Sequence, residues 1–365
     1  YPYKKFALVE NFWETGYGMP SYTLLGPQII RFPFILTSSY PHEILHNWWG
    51  NSVYVDYLTG NWCEGLTAYL ADHLMKEIEG QGAEYRRDVL KKYRDFASVS
   101  GDFPLKEFRS RHSAATEAVG YGKTLMGFHE LRQLVGDDLF RQSLRTFYKD
   151  YRGTRASFGD VRTAFEKTTG RDLARFFDDW VNRTGAADLA VSDVTVSGSG
   201  SRYTVTGVVA QRQAGPYDLE VPVVVSTAAG PVIAKVRSKD ASTTFSIETT
   251  SAPTAVSVDP AFDLFRMLDP RETAPSIGQL FGASEVVAVL PAAEADTWRR
   301  VLDAWKSPSN KIAVVTDKEI SKLPADRSVW LLGRENRFAA QLFASEPSLG
   351  LSVSATGVKI GNSEL

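Results

Sequence analysis

The chain has 365 residues, 43% of them hydrophobic, enough for two or three domains that each bury a core. Its net charge of −2 supplies no global field for nucleic acid or an anionic membrane. No apolar run reaches the ~20 residues that span a bilayer, and a single cysteine, Cys63, excludes an intrachain disulfide and a cysteine-based zinc cage.

No charged start followed by an apolar stretch is visible, so the sequence assigns no compartment. Both ends stop in strand-like sequence, as expected of a piece of a longer protein. Residues 1–40 read as short strands and turns, with KKFALVENF, SYTLLG and QIIRFPFIL as the strand candidates. From about residue 40 to 185 the period turns helical, with candidate helices at 41–50, 64–78, 83–97, 122–135, 137–151, 158–168 and 171–182. Leu125, Phe128, Leu131 and Leu134/Val135 form one apolar stripe, and Leu173, Phe176, Phe177 and Trp180 another. Both stripes read as core.

After Thr184-Gly185 the chain alternates Val and Thr with polar residues, which predicts an all-β region, a small sandwich, over 187–272. Beyond PRETAPS, strands such as EVVAVLP and KIAVVT alternate with an amphipathic helix near 294–305. That predicts an incomplete α/β unit over 273–365. It has no G-x-G-x-x-G and no G-K-[ST], so it reads as an accessory packing domain. The expected whole is multidomain α+β, in the order mostly helical 1–186, β-sandwich, α/β unit.

One motif carries chemistry. In HEILHNWWGN (42–51), His42 and His46 are four residues apart and share one helix face, so both can reach one ion. Glu43 is turned about a quarter of the way round the helix, where it can reach a water on that ion without being a ligand. Imidazole suits zinc, and a catalytic zinc has three protein ligands plus a water. The third ligand is expected downstream, and NWCEGLTAYL supplies Glu64. The plain alternative is a chance HExxH on a helix. Against it, the chain has only five histidines (42, 46, 73, 112 and 129), and two of them fall at this spacing.

HEILHNWWGN followed by NWCEGLTAYL resembles the zinc core of the M1 aminopeptidases, the gluzincin group that includes leukotriene A4 hydrolase. The likeness continues through AVGYGKTLMGFHELRQLVGDDLF and GRDLARFFDDWVNRTG. It implies a thermolysin-like catalytic domain, one Zn²⁺ per chain held by His42, His46 and Glu64, and Glu43 as general base. Tyr121 matches the family's catalytic tyrosine. Glu10 in ALVEN matches the glutamate of the exopeptidase motif written GAMEN, which binds the free N-terminus of a peptide substrate.

Two departures stand beside the resemblance. Seventeen residues separate His46 from Glu64 where the family has eighteen, and ALVEN keeps only the Glu and Asn of the exopeptidase motif. The family's N-terminal β-domain has no counterpart here, so the chain reads as a fragment with that missing portion as an expected partner. The leading expectation is a zinc aminopeptidase. An endopeptidase or epoxide hydrolase on the same site, and a non-catalytic scaffold retaining the fold, remain open.

The other motif residues carry bland expectations. Asn47, Trp48 and Trp49 are expected to pack the site or orient ligands, Asn51 to satisfy backbone at the helix end, and Cys63 to be a small buried residue. His73 is expected at the surface or just behind the ligands, and His112 and His129 have no partner.

Overall fold

The computed structural model describes residues 1–97, 101–273, 276–283, 285–305, 311–325, 327–344, 351–353, 358–360 and 363–364. By internal contacts the chain divides into two units, Tyr1–Thr273 and Ala274–Leu365. Helices and sheets are both present, in an α+β arrangement.

The first unit opens with strands β1 (Ala7–Glu10), β2 (Gly16–Met19) and β3 (Tyr22–Leu25). They form a sheet in the order β1-β3-β2, with β1 parallel and β2 antiparallel to β3. The expected strand QIIRFPFIL is instead two 3₁₀ turns, Ile29–Arg31 and Ile35–Thr37. Pro33 between them has no N–H to donate to a ladder, so an apolar run alone does not extend the sheet.

The helices follow: α1 (Ser39–Leu45), α2 (Cys63–Ala68), α3 (Leu74–Ile78), α4 (Gly82–Phe96), α5 (Ala114–Glu117), α6 (Thr124–Val135), α7 (Asp137–Tyr151), α8 (Phe158–Thr169) and α9 (Ala174–Val181). A two-residue parallel ladder joins β4 (Tyr54–Val55) to β5 (Arg155–Ala156). Leu125, Phe128, Leu131 and Val135 of α6 are buried in one core with Trp62, Leu66, Leu90, Phe147 and Phe165. Leu173 and Phe177 join it fully, while Phe176 and Trp180 pack against its margin. Burial of such aromatic and aliphatic side chains, roughly 1.5–3 kcal/mol each, drives the assembly of this helical part.

Strands β6 (Leu189–Ser199), β7 (Arg202–Gln211) and β10 (Ser242–Thr249) make one antiparallel sheet, and β8 (Leu219–Thr227), β9 (Val232–Ser238) and β11 (Pro253–Val258) another. Alternate residues Val205 and Val209, Val221, Val223 and Val225, and Phe245 and Ile247 turn inward to a shared second core. That is the two-sheet packing expected of strands with period-two apolar residues. The segment after β11 returns to the helices: Phe265 and Leu268 lie in the helical core, and Phe265 N donates to buried Glu130 Oε1 at 2.7 Å.

The second unit holds α10 (Ile277–Gly282), β12 (Glu285–Leu290), α11 (Ala295–Trp305), β13 (Lys311–Thr316), β14 (Ser328–Leu331) and α12 (Ala339–Ala344). Its parallel sheet has the order β13-β12-β14. Central β12 is buried along Val286–Leu290, with separate cores on its two faces, which explains its unbroken apolar run. Strands Leu351–Val353, Val358–Ile360 and Ser363–Glu364 pair in a small antiparallel sheet.

Candidate metal centre and cleft

His42 lies in α1, and His46 follows its last residue while the backbone is still helical, its N–H reaching His42 O at 3.3 Å. Their rings therefore stand one turn apart, with centroids separated by 4.9 Å. Glu64, in the first turn of α2, faces them. Its Oε2 is 3.5 Å from His42 Nε2 and 3.5 Å from His46 Nε2. Ligands about 2.0–2.1 Å from a tetrahedral zinc sit roughly 3.3–3.4 Å from each other. The two separations to Glu64 match that shell, all three donor atoms lie within 4.8 Å of one another, and no other such cluster occurs among the described residues.

The donors are also oriented for a metal. His42 Nδ1 is 2.7 Å from Asp72 Oδ2, and His46 Nδ1 is 3.1 Å from Trp49 O, with Cys63 Sγ at 3.4 Å. Carboxylate and carbonyl oxygens accept, so each Nδ1 carries a hydrogen, and each Nε2, which faces Glu64, is the nitrogen that a metal would take in place of a proton. The residues present fit a divalent zinc. With protein groups alone, burial pushes the His42 pKa down, but the hydrogen bonds that its ring donates to Asp72 and Glu64 outweigh it and raise it to about 9. The pocket favours positive charge between its two rings.

Asp72 reaches His42 because the helix carrying Glu64 is locally unwound. Between α2 and α3 the residues Tyr69–His73 form a π-helical turn. On a regular helix, eight residues after Glu64 point about 80° away from it. A π-bulge absorbs one residue, which brings position 72 to within about 20° of Glu64's direction. A second π turn, Ala118–Lys123, lies between α5 and α6 and carries Tyr121. The Tyr121 ring stacks 6.3 Å from His42, so the phenol belongs to the same centre. Burial, reinforced by nearby Glu64, pushes its pKa far above the usual phenol value and keeps it protonated. Gly65 allows α2 to approach α6, since a Cβ there would meet Thr124 Cβ at 2.3 Å.

Strand β2 lies directly over α1. A Cβ on Gly16 would come within 2.5 Å of Glu43 Oε1, and one on Gly18 within 2.4 Å of His46 Cβ. Two asparagines of HEILHNWWGN fasten this contact. Asn51 Nδ2 donates to Gly18 O at 2.8 Å. Buried Asn47 accepts from Ser21 N at 3.0 Å, in the β2–β3 turn where Ser21 takes the positive φ of 72°. Trp49 stacks on Phe147 in the helical core, its ring centroid 5.8 Å away. Glu43 is 8% exposed, and burial raises its pKa against the opposing pull of His46 and His42.

His42, Glu43, His46, Glu64 and Tyr121 thus line one cleft of about 810 Å³. Glu10 does not join them. It ends β1, which β3 separates from β2, and its half-exposed carboxylate faces Arg31 Nη1 at 3.4 Å. The carboxylate of this segment that lines the cleft is Glu14, whose Oε2 accepts from Gln28 N at 3.0 Å.

Cys63 is buried, as expected. The surface reading of His73 is corrected, because its side chain is fully buried: Arg86 Nη1 donates to its Nε2 at 2.8 Å. Burial and Arg86 together lower its pKa to about 3, so it is neutral. His129 gains partners in Tyr69 OH at 3.2 Å and Asp263 Oδ1 at 2.9 Å. His112 is exposed. Sequence reasoning missed Asp72, Gly16, Gly18 and Glu14. Asp72 had a local signal, a carboxylate two turns beyond Glu64; the others depend on which strand crosses α1.

Residues 37–180 match the model of the peptidase family M1 domain. The chain carries a peptidase family M1 domain. This M1 segment is similar to curated aminopeptidases at low identity. The alanine/arginine aminopeptidase of Saccharomyces cerevisiae is 21% identical over 181 residues, covering 47% of this chain and 21% of that protein. The glutamyl aminopeptidase of Sus scrofa is 23% identical over 163 residues, 42% of this chain and 17% of that protein. The tricorn protease-interacting factor F2 of Thermoplasma acidophilum is 22% identical over 196 residues, 52% and 25% of the two chains. Among solved structures, Legionella pneumophila aminopeptidase A in complex with aspartic acid aligns with a TM-score of 0.56 at 16% identity, covering 75% of this chain and 32% of that one. The chain therefore spans about a fifth of the length of the first curated relatives it matches.

Proposed function

We propose that the chain is the zinc-dependent catalytic part of a peptide hydrolase that acts as an aminopeptidase. The observation that carries this is the convergence of His42 Nε2, His46 Nε2 and Glu64 Oε2, with both imidazole Nδ1 atoms already engaged. We read the chain as three domains, 1–186, 187–272 and 273–365; the separate helical and β cores support this division.

His42, His46 and Glu64 would hold the zinc. When bound there, a zinc ion supplies Lewis acidity toward a peptide carbonyl and acidifies a bound water to a pKa of about 7. Glu43, whose pKa burial raises, accepts the proton of the attacking water and passes it to the leaving amine. The Tyr121 phenol donates a hydrogen bond to the carbonyl oxygen as negative charge develops on it. Asp72 and Trp49 O fix the ring orientations of the two imidazoles.

Selection of a free α-ammonium needs a carboxylate in the cleft. The exposure of Glu10 argues against it, and in this proposal Glu14 takes the role. A second reading, cleavage within a chain, is favoured by the same exposure of Glu10. The test pairs metal analysis with hydrolysis of aminoacyl-arylamides by wild type and Glu43→Gln. Stoichiometric zinc in both with turnover only in wild type supports the proposal, and zinc without turnover in either overturns it. Glu14→Gln and Glu10→Gln then separate the readings: loss of turnover in the first alone supports amine capture by Glu14, and loss in neither supports internal cleavage.

A further inference from the structure

The wall of the cleft beside Tyr121 carries a cation that the chemistry above does not use. Arg111 lines the cleft, and its guanidinium lies over the Tyr121 ring, 5.9 Å from the centroid. That contact holds the charge next to the phenol rather than leaving it free to sweep through solvent. Its one protein acceptor among the described residues is Glu117, with Nη1 at 3.5 Å from Oε2. Glu117 is held more closely by Lys92, whose Nζ is 2.6 Å from Oε1. The nearby cleft carboxylate Asp88 faces Arg87 at 3.7 Å. Glu117 is thus shared, and the planar fork of Arg111, half exposed, keeps most of its five N–H donors for a group entering the cleft.

We infer that Arg111 is a specificity-determining residue that binds a carboxylate of the peptide substrate in the cleft beside Tyr121. A guanidinium pairs with a carboxylate through two parallel N–H···O bonds, stronger and more directional than a contact with an amide. Peptides bearing a carboxylate within reach are therefore preferred over neutral ones. Two sources share this chemistry: the C-terminal carboxylate of a short peptide, and an acidic side chain of a longer one. The inference rests on the peptide-hydrolase reading for its substrate, but its test does not rest on turnover.

Binding is measured by calorimetry on the zinc-supplied Glu43→Gln chain, with and without Arg111→Ala. The probes are trialanine, its C-terminal amide, and Ala-Asp-Ala-amide. In the Arg111 background trialanine, Ala-Asp-Ala-amide or both bind about 10–100-fold more tightly than the neutral amide. Which of them gains identifies the source. In the Arg111→Ala background the difference falls to within about twofold, and Arg111→Lys restores only part of it, because an ammonium keeps the charge without the fork. Equal binding of all three probes in the Arg111 background overturns the inference. So does a preference that survives Arg111→Ala, since another group then holds the carboxylate. Zinc-loaded wild type that hydrolyses no peptide overturns the proposed function alone, and leaves the binding comparison to decide on Arg111.

Discussion

His42 Nδ1 and Asp72 Oδ2 lie 2.7 Å apart although they stand thirty positions apart in the chain, and a π-helical turn at Tyr69–His73 makes the contact possible. The aspartate selects the tautomer that leaves His42 Nε2 as a lone pair. Asp72→Ala is expected to weaken zinc affinity about 10–100-fold with the fold retained. Competition against a chelator of known affinity measures this. An unchanged zinc constant in the folded variant would show that the ring holds its orientation without the carboxylate.

Gly16 and Gly18 make different predictions although both face α1. An alanine Cβ at Gly16 meets the far end of Glu43, whereas at Gly18 it meets His46 Cβ and the Glu43 carbonyl. A carboxylate end can swing away, but a Cβ and a backbone oxygen cannot. Gly16→Ala should keep zinc and stability and lose turnover through a displaced Glu43. Gly18→Ala should lose about 1–3 kcal/mol of stability and weaken zinc binding as well. Urea melts and metal content of the two variants check the contrast.

Tyr121→Phe removes the phenol and keeps the ring that stacks near His42. With zinc content unchanged, kcat should fall about 10²–10³-fold and KM should change little, as for loss of one oxyanion donor. A matching rise in KM with kcat intact would assign Tyr121 to ground-state binding. Burial raises its pKa, so in wild type its own deprotonation should produce no loss of rate up to pH 10.

Glu130 predicts a pH dependence of stability. Burial pushes its pKa from 4.5 up to about 8, while the hydrogen bond from Phe265 N opposes the shift. Between pH 4.5 and 8 the folded chain holds a proton that the unfolded chain releases. The stability it contributes is therefore full below pH 4.5 and lost as pH rises through 8. Glu130→Gln keeps an acceptor for Phe265 N and removes the titration. Relative to wild type it should gain on the order of 3 kcal/mol between pH 5 and 9. Urea midpoints at several pH values test it, and parallel pH profiles for the two proteins would exclude the mechanism.

The His42, His46 and Glu64 cluster was readable in the sequence because its geometry is local. Two histidines four apart on a helix face one way whatever surrounds them, and Glu64 opens the next helix on that side. The alternating valines of 187–272 and the unbroken apolar run of β12 were readable for the same reason, since burial on one face or on two leaves its period in the chain. Glu10 lies apart from the cleft lining because a motif match says nothing about sheet order, and the order β1-β3-β2 sets β2 over α1.

The sequence by itself determined which side chains could share an ion and which segments would bury an apolar face, because helical and strand periods follow from backbone geometry alone. Only the tertiary structure decided that Asp72 orients His42, that two glycines admit β2 against Glu43 and His46, and that Glu14 and Arg111 rather than Glu10 line the cleft. Those relations join segments far apart in the chain, through a π turn and a sheet order that no local period encodes. They are settled by packing and by the pairing of buried polar groups.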